Sequence, residues 1–255
     1  MISIKSESEI ELMRRAGEVL CLSFEKLKDI LKPGVTTKDM DLVVEKFILE
    51  NKGIPSFKGF KGMSGAIDYP ASICASVNNE VVHGIPGNRV LKDGDIISVD
   101  IGVYLNGFHA DAARTFPVGH ISEIAEKLIR VTEKSFYKGI REAVTGNRII
   151  DISAAIQEYV EKNGFSVVRE YVGHGIGTRM HEAPQIPNYK SRERGPRLSK
   201  GMTLAVEPMV NAGGYFVNVL DNKWTVVTAD GSLSAHYENT IAVTDKQPII
   251  LTKLD

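Results

Sequence analysis

Leu91-Lys92-Asp93-Gly94-Asp95-Ile96-Ile97-Ser98-Val99-Asp100 has a counterpart 107 positions later in Leu198-Ser199-Lys200-Gly201-Met202-Thr203-Leu204-Ala205-Val206-Glu207. In each stretch a turn glycine precedes by six positions a carboxylate that closes a β-type run. A second pair of landmarks lies upstream. Gly34, Asp39-Met40 and Glu45-Lys46-Phe47-Ile48 align with Gly146, Asp151-Ile152 and Gln157-Glu158-Tyr159-Val160 at an offset of 112, ending near Gly53 and Gly164. A helical pattern precedes each: Ile10, Met13, Gly17, Leu20, Phe24, Leu27 and Leu31 in one, Ile124, Leu128, Val131, Ser135 and Phe136 in the other. Landmarks recurring in one order at nearly one offset signal an internal duplication. The expectation is an α+β fold of two pseudo-symmetric halves, approximately 1–118 and 119–255, within a single domain spanning 1–255. Each half reads helix, helix, strands, so the strands are expected to share a sheet covered by helices, with a site at the seam between matching strand ends.

The acidic strand residues carry the chemistry. Ile96 to Gly102 reads as a strand, Asn106-Gly107 is a two-residue hairpin signal, and Phe108 begins the return strand. That register sets Leu105 opposite Phe108 and Gly102 opposite Asp111, leaving Asp100 and Asp111 diagonal on one face, roughly 7–8 Å apart at Cβ or somewhat less. With Glu207 from the matching strand beside them, ionised carboxylates in an apolar setting repel one another unless protons or metal ions compensate. A metal site is the reading that explains acidic residues at the apolar ends of internal strands.

Composition neither names nor opposes a partner. The 255 residues carry 31 Lys plus Arg against 32 Asp plus Glu, a net charge of −1, so no basic footprint for DNA or a membrane surface is present. No stretch approaches the roughly 20 apolar residues of a membrane span, and the N-terminus lacks the apolar core of a secretory signal, which points to the cytoplasm. Cys21 and Cys74 are too few for a disulfide framework and are expected to be buried thiols.

Among six histidines, His83 and His174 both stand in His-Gly-Ile, and His181 follows His174 by seven positions. His109, His120 and His236 are read as surface or structural residues. Gly173-His174-Gly175-Ile176-Gly177 is not a dinucleotide loop, because Thr178 stands where the fingerprint needs its third glycine. His181-Glu182-Ala183-Pro184-Gln185 is not a zincin helix, because Pro184 opposes the helix and Gln185 replaces the second histidine.

Five strings in order, Leu91 to Gly102, Asp111-Ala112-Ala113-Arg114-Thr115, Gly173-His174-Gly175-Ile176-Gly177, Glu207-Pro208-Met209-Val210 and Glu238-Asn239-Thr240, resemble the type I methionine aminopeptidases over essentially the whole chain. The resemblance implies the pita-bread fold, a curved antiparallel sheet with helices on its convex side and a two-metal site on its concave side. It implies Asp100, Asp111, His174, Glu207 and Glu238 as ligands of two divalent ions, Asp111 and Glu238 bridging, with a water or hydroxide between the ions as nucleophile. An oxygen-rich shell with one imidazole suits Co, Mn, Fe or Zn. The resemblance also makes Glu207 the proton shuttle, His181 a stabiliser of the carbonyl or oxyanion, and His83 a contact of the scissile nitrogen.

A methionine slot needs apolar and soft surroundings, and similarity points to Tyr69, Cys74, Met180 and Trp224. Met180 stands where the family often has an aromatic residue, and Gly59 to Pro70, with Gly59, Gly62 and Gly65, is expected to shape the rim. Two other classes compete with this reading. Proline-directed relatives carry an N-terminal domain, for which the first half, beginning within ten residues, leaves no room; type II members carry an insert that the 33 positions from His174 to Glu207 do not accommodate. A binding scaffold without catalysis is the other, but such relatives lose ligands and all five positions here hold ligating side chains. The expected partner is the N-terminal Met of nascent polypeptides. Arg192-Glu193-Arg194-Gly195-Pro196-Arg197 reads as a solvated loop, with a transient ribosome contact as its secondary reading, and the chain is expected to be a monomer.

Overall fold

The computed structural model describes residues 1–62 and 67–254. Helix α1 (Glu7–Ile30) starts where Ser6 and Glu9 form a capping box: Ser6 Oγ accepts from Glu9 N–H at 3.3 Å and Glu9 Oε2 accepts from Ser6 N–H at 2.7 Å. Its apolar stripe places Met13, Leu20, Phe24 and Leu27 in the core. Each fully buried side chain of this size stabilises the fold by about 1.5–3 kcal/mol. Helix α2 (Thr37–Glu50) repeats the device, with Asp39 accepting from Thr36 N–H at 3.0 Å.

Five strands follow in the first half: β1 (Ile54–Pro55), β2 (Ile73–Val77), β3 (Glu80–Val82), β4 (Ile96–Leu105) and β5 (Phe108–Pro117). The second half opens with α3 (Glu123–Ile140) and α4 (Ile149–Lys162). Ten short strands complete it: β6 (Ser166–Val167), β7 (Gly173–Gly175), β8 (Glu182–Ile186), β9 (Thr203–Val206), β10 (Met209–Asn211), β11 (Val217–Val219), β12 (Val226–Thr228), β13 (Ser234–His236), β14 (Asn239–Ala242) and β15 (Ile249–Ile250). All ladder pairs are antiparallel. Among the described residues they form four hydrogen-bonded sheets rather than one. The sheet of β1, β2, β4 and β5 is backed by α1 and α2, and the sheet that holds β9 and β14 by α3 and α4.

The duplicated landmarks pair with each other in space. Gly34 N–H donates to Leu91 O at 2.8 Å, and Gly146 N–H donates to Leu198 O at 3.0 Å. Gly94 N–H donates to Val118 O, and Gly201 N–H to Val243 O, both at 3.0 Å. All four glycines lie at φ between +85° and +97°, the left-handed region that an L side chain enters only at a cost. The sequence repeat is thus the trace of one turn-and-strand arrangement used twice.

Candidate metal centre

The β4–β5 hairpin has the register read from Asn106-Gly107, with Leu105 opposite Phe108 and Gly102 opposite Asp111. Asp100 does not end its strand, however; β4 runs on to Leu105. In the second half β9 and β14 pair Val206 with Asn239. One step further along that register, Glu207 and Glu238 stand opposite each other.

Backbone and side-chain hydrogen bonds from both sides lace β5 to the segment 236–240, which spans β13 and β14, across the seam. Thr240 Oγ1 accepts from Asp111 N–H at 2.9 Å, and Glu238 N–H donates to Ala113 O at 3.0 Å. Thr115 Oγ1 takes His236 N–H at 2.9 Å. Arg114 donates to the carbonyls of Ala113 and Glu238 and to Asn239 Oδ1, its guanidinium lying 4.4 Å from the Tyr237 ring centre. Asp111 and Glu238 are held to each other by this lacing. Arg114→Ala is expected to weaken divalent-metal binding by about 10–100-fold, the usual worth of a partner behind the ligands. Titration calorimetry with Mn checks it, and unchanged affinity would contradict it.

The lacing brings four carboxylates and two imidazoles together. Asp111, His174 and Glu238 offer ligand atoms within 4.8 Å of one another, as do Asp100, His236 and Glu238, so Glu238 belongs to both groups. Glu207 Oε1 lies 3.6 Å from His174 Nε2. Asp100 Oδ1, Asp111 Oδ1, Glu238 Oε1 and His236 Nε2 are buried without a hydrogen-bond partner. Orphaned buried atoms of this kind are rare and call for an absent ion. His174 Nδ1 lies 2.9 Å from Gly175 O, so it carries the hydrogen and leaves the Nε2 lone pair facing Asp111 and Glu207. The donor set fits divalent cations.

The electrostatics agree. Burial pushes Asp100 up to about 7, and burial followed by mutual repulsion holds Asp111, Glu207 and Glu238 well above the ordinary carboxylate range. Burial, then the neighbouring His181, lowers His174 to about 3, so its imidazole is neutral and free to ligate. A carboxyl whose folded-state pKa exceeds its unfolded value favours folding only while protonated. In metal-free protein this contribution is complete below about pH 4 and is lost as pH rises through the value of about 7 at Asp100. Melting of chelated protein is therefore expected to fall between pH 7 and 9, where the histidines are neutral both folded and unfolded and only the raised carboxylates still titrate, and excess Mn to remove most of that slope. Equal slopes with and without metal would contradict it.

Gly173 and Gly175 flank the ligand for a packing reason. A Cβ at Gly173 would stand 2.4 Å from Ala205 O, and one at Gly175 2.2 Å from Ala183 O, so only glycine lets β7 lie between its neighbours.

Beside the carboxylates lies a cavity of about 140 Å³, lined by Tyr69, Cys74, Met180, Trp224, His83 and His181 together with Phe57 and Phe60. Cys74 pairs directly with Asp100 in the β2–β4 ladder. Tyr69 stands edge-on to Trp224 at 5.1 Å, and the Trp224 indole donates to Ile67 O at 2.9 Å. Trp224 is half-buried on the cavity wall, packed against the buried cluster of Tyr69, Ala71 and Cys74. His83 sits just past β3 at φ +58°. His181 faces His174 edge-on at 4.2 Å. Of the rim loop Gly59 to Pro70, residues 63–66, including Gly65, lie outside the described residues. A second cavity, about 330 Å³, shares His83, His174, His181 and Glu207 and adds Tyr171 and Gln185.

Sequence reasoning missed several neighbours. His236 is not a surface residue: it is 2 % exposed, with Nε2 3.9 Å from Glu207 and 3.8 Å from Glu238. Its position two before Glu238 was the available signal, since alternate strand residues share a face. His109 is tied down through Ser56 Oγ at 2.9 Å, and His120 is exposed. Phe57 and Phe60 carried no periodic signal. Cys21 and Cys74 are both buried and free.

Comparison with known proteins follows the same lines. The sequence matches Metallopeptidase family M24 over residues 11–245. It is 59 % identical over 252 residues to a methionine aminopeptidase of Clostridium perfringens, covering 99 % of each chain. It is 56 % identical to methionine aminopeptidase 1 of Bacillus subtilis, covering 100 % of each. A crystal structure of methionine aminopeptidase from Thermotoga maritima superposes with a TM-score of 0.95 at 45 % identity, covering all of both chains. The prolidase of Pyrococcus horikoshii, at 20 % identity and a TM-score of 0.77, covers 99 % of this chain and 64 % of its own, and shares the fold alone. The architecture is the pita-bread fold. The chain therefore belongs to metallopeptidase family M24 and, within it, to the type I methionine aminopeptidases.

Proposed function

We propose that this protein hydrolytically removes the N-terminal methionine of peptides and nascent chains, with two divalent ions held by Asp100, Asp111, His174, Glu207 and Glu238. The observation that carries the reading is the convergence of four carboxylates from both halves, Asp111 and Glu238 fully buried and Asp100 and Glu207 half-buried, at one end of an apolar, aromatic and thioether-lined slot. When bound, divalent cations lower the pKa of a coordinated water and polarise a carbonyl. The rest falls to the chain. Glu207, which lines both cavities, takes the proton of the attacking water and passes it to the leaving amine. His181, which burial lowers below the ordinary histidine value, is neutral near pH 7 and donates to the carbonyl oxygen as charge develops. His83, lowered by burial to about 4, is likewise neutral and contacts the scissile nitrogen.

Tyr69, Cys74, Met180 and Trp224 surround the methionine side chain, where sulfur meets aromatic edges favourably. The acidic end of the slot receives the free α-amino group, which restricts cleavage to the first residue. The adjoining cavity of about 330 Å³ takes the remainder of the peptide. Mn, Fe, Co and Zn all suit the donor set. Residues 1–255 are read as a single catalytic domain working as a cytoplasmic monomer, with the Arg192–Arg197 loop solvated. No helix of the described residues is long and apolar enough to cross a membrane.

The test is incubation of protein loaded in turn with each metal with Met-Ala-Ser and Ala-Pro peptides, followed by chromatography of free amino acids. Free methionine is expected from the first peptide alone. Release of alanine from the second would favour a proline-directed enzyme, and no release with any metal would favour a binding scaffold.

A further inference from the structure

The segment ahead of α1 crosses to the second half of the molecule. Ile2 packs against the second-half core, and Lys5 N–H donates to Gly201 O at 2.8 Å. Lys5 Nζ then meets Glu182 Oε2 at 2.5 Å, the two side chains being only 3 % and 6 % exposed. Every other lysine or arginine ion pair among the described residues has its cation at least 28 % exposed. Solvated pairs of that kind contribute little. A sealed pair is costly to desolvate, and its best-attested use is to select one arrangement among several.

What this pair selects is the turn 177–182. The second carboxylate oxygen of Glu182 accepts from Arg179 N–H at 3.2 Å and from Thr178 Oγ1 at 3.3 Å. Gly177 N–H closes on Arg179 O at 3.1 Å, and Gly177 O accepts from His109 N–H of β5 at 2.8 Å. A Cβ on Gly177 would stand 2.3 Å from Lys5 Cε, so the lysine stem lies directly against the turn. The turn carries His181, whose ring makes edge contacts with His174 and Phe60 but no hydrogen bond among the described residues. Its placement therefore depends on the backbone beneath it.

We infer that Lys5 and Glu182, acting as one buried pair, are positioning residues for His181. The inference rests on the aminopeptidase reading for what His181 does, but not for where it is held. Removing one partner alone would strand a charge, so the decisive variant is Lys5→Met with Glu182→Met, since apolar replacement of both members of a buried pair is commonly tolerated. A misplacement of order 1 Å can cost about a hundredfold in rate. The paired variant is expected to lose about tenfold in kcat while Mn affinity by calorimetry stays within twofold. Placed in a His181→Ala background, the same pair of substitutions is expected to cost less than twofold. The histidine rings, isotope-labelled, supply a readout that needs no turnover. The His181 signal, assigned by its loss in His181→Ala, is expected to be single in the unsubstituted protein and shifted or split in the paired variant. An unchanged His181 signal, or an equal loss of kcat with and without His181, would overturn the positioning role. Failure of the unsubstituted protein to release methionine would instead overturn the aminopeptidase reading, and the ring signal would then decide the positioning alone.

Discussion

Glu207→Gln is expected to lower kcat for methionine release by about 10²–10⁴-fold, the range supplied by a positioned general acid–base group. Glutamine keeps the size and hydrogen-bonding reach of the side chain, so Oε1 can stay close to His174, 3.6 Å away in the unsubstituted protein. It cannot take a proton from water and return it to the leaving amine. The measurement is kcat at saturating Met-Ala-Ser, with bound metal quantified in the same samples. The two sets of samples must match in metal content, because Glu207 is also a proposed ligand. A kcat within threefold of the unsubstituted protein at equal metal content would remove Glu207 from the proton-transfer role.

Asp111→Asn should produce the largest change in metal binding, and an opposite change in the metal-free protein. Asp111 is 3 % exposed and has an orphaned Oδ1. With its partner Glu238 it stands where β5 is laced to β13 and β14. Substitution removes a charge from a proposed bridging position, so Mn affinity should fall by more than the 10–100-fold that a partner behind the ligands is worth. In chelated protein at pH 7.5 the sign reverses. Asp111 is held well above the ordinary carboxylate range by burial and then by Glu238 and Asp100, so its ionised form opposes folding there. The chelated variant should melt at a higher temperature than chelated unsubstituted protein, and the order should invert with excess Mn. Melting curves under the two conditions decide it; a variant less stable than the unsubstituted protein in both would argue for a purely structural Asp111.

The sequence was most informative where the chemistry is local. Asn106-Gly107 set the hairpin register, and with it the diagonal relation of Asp100 and Asp111, because a two-residue turn leaves one pairing for the strands that flank it. The paired glycines announced two copies of one turn because each must adopt positive φ. Helix starts were equally plain: Ser6 with Glu9 and Thr36 with Asp39 satisfy backbone donors within a single turn of chain. The family resemblance located His174 and Glu238, which periodicity would not have selected from among the other histidines and acids.

His236, Phe57, Phe60 and the Lys5–Glu182 pair were not legible in this way. Strand alternation says that His236 and Glu238 share a face, but not that the face meets Asp100 across a seam. Nor does any spacing rule connect Lys5 to a residue 177 positions away. Local torsions, caps and turns depend on neighbouring residues and so were written in the linear order. Which carboxylates converge, and which side chains close around them, depends on how two separately patterned halves pack, and that is set by the summed burial and hydrogen bonding of the whole chain.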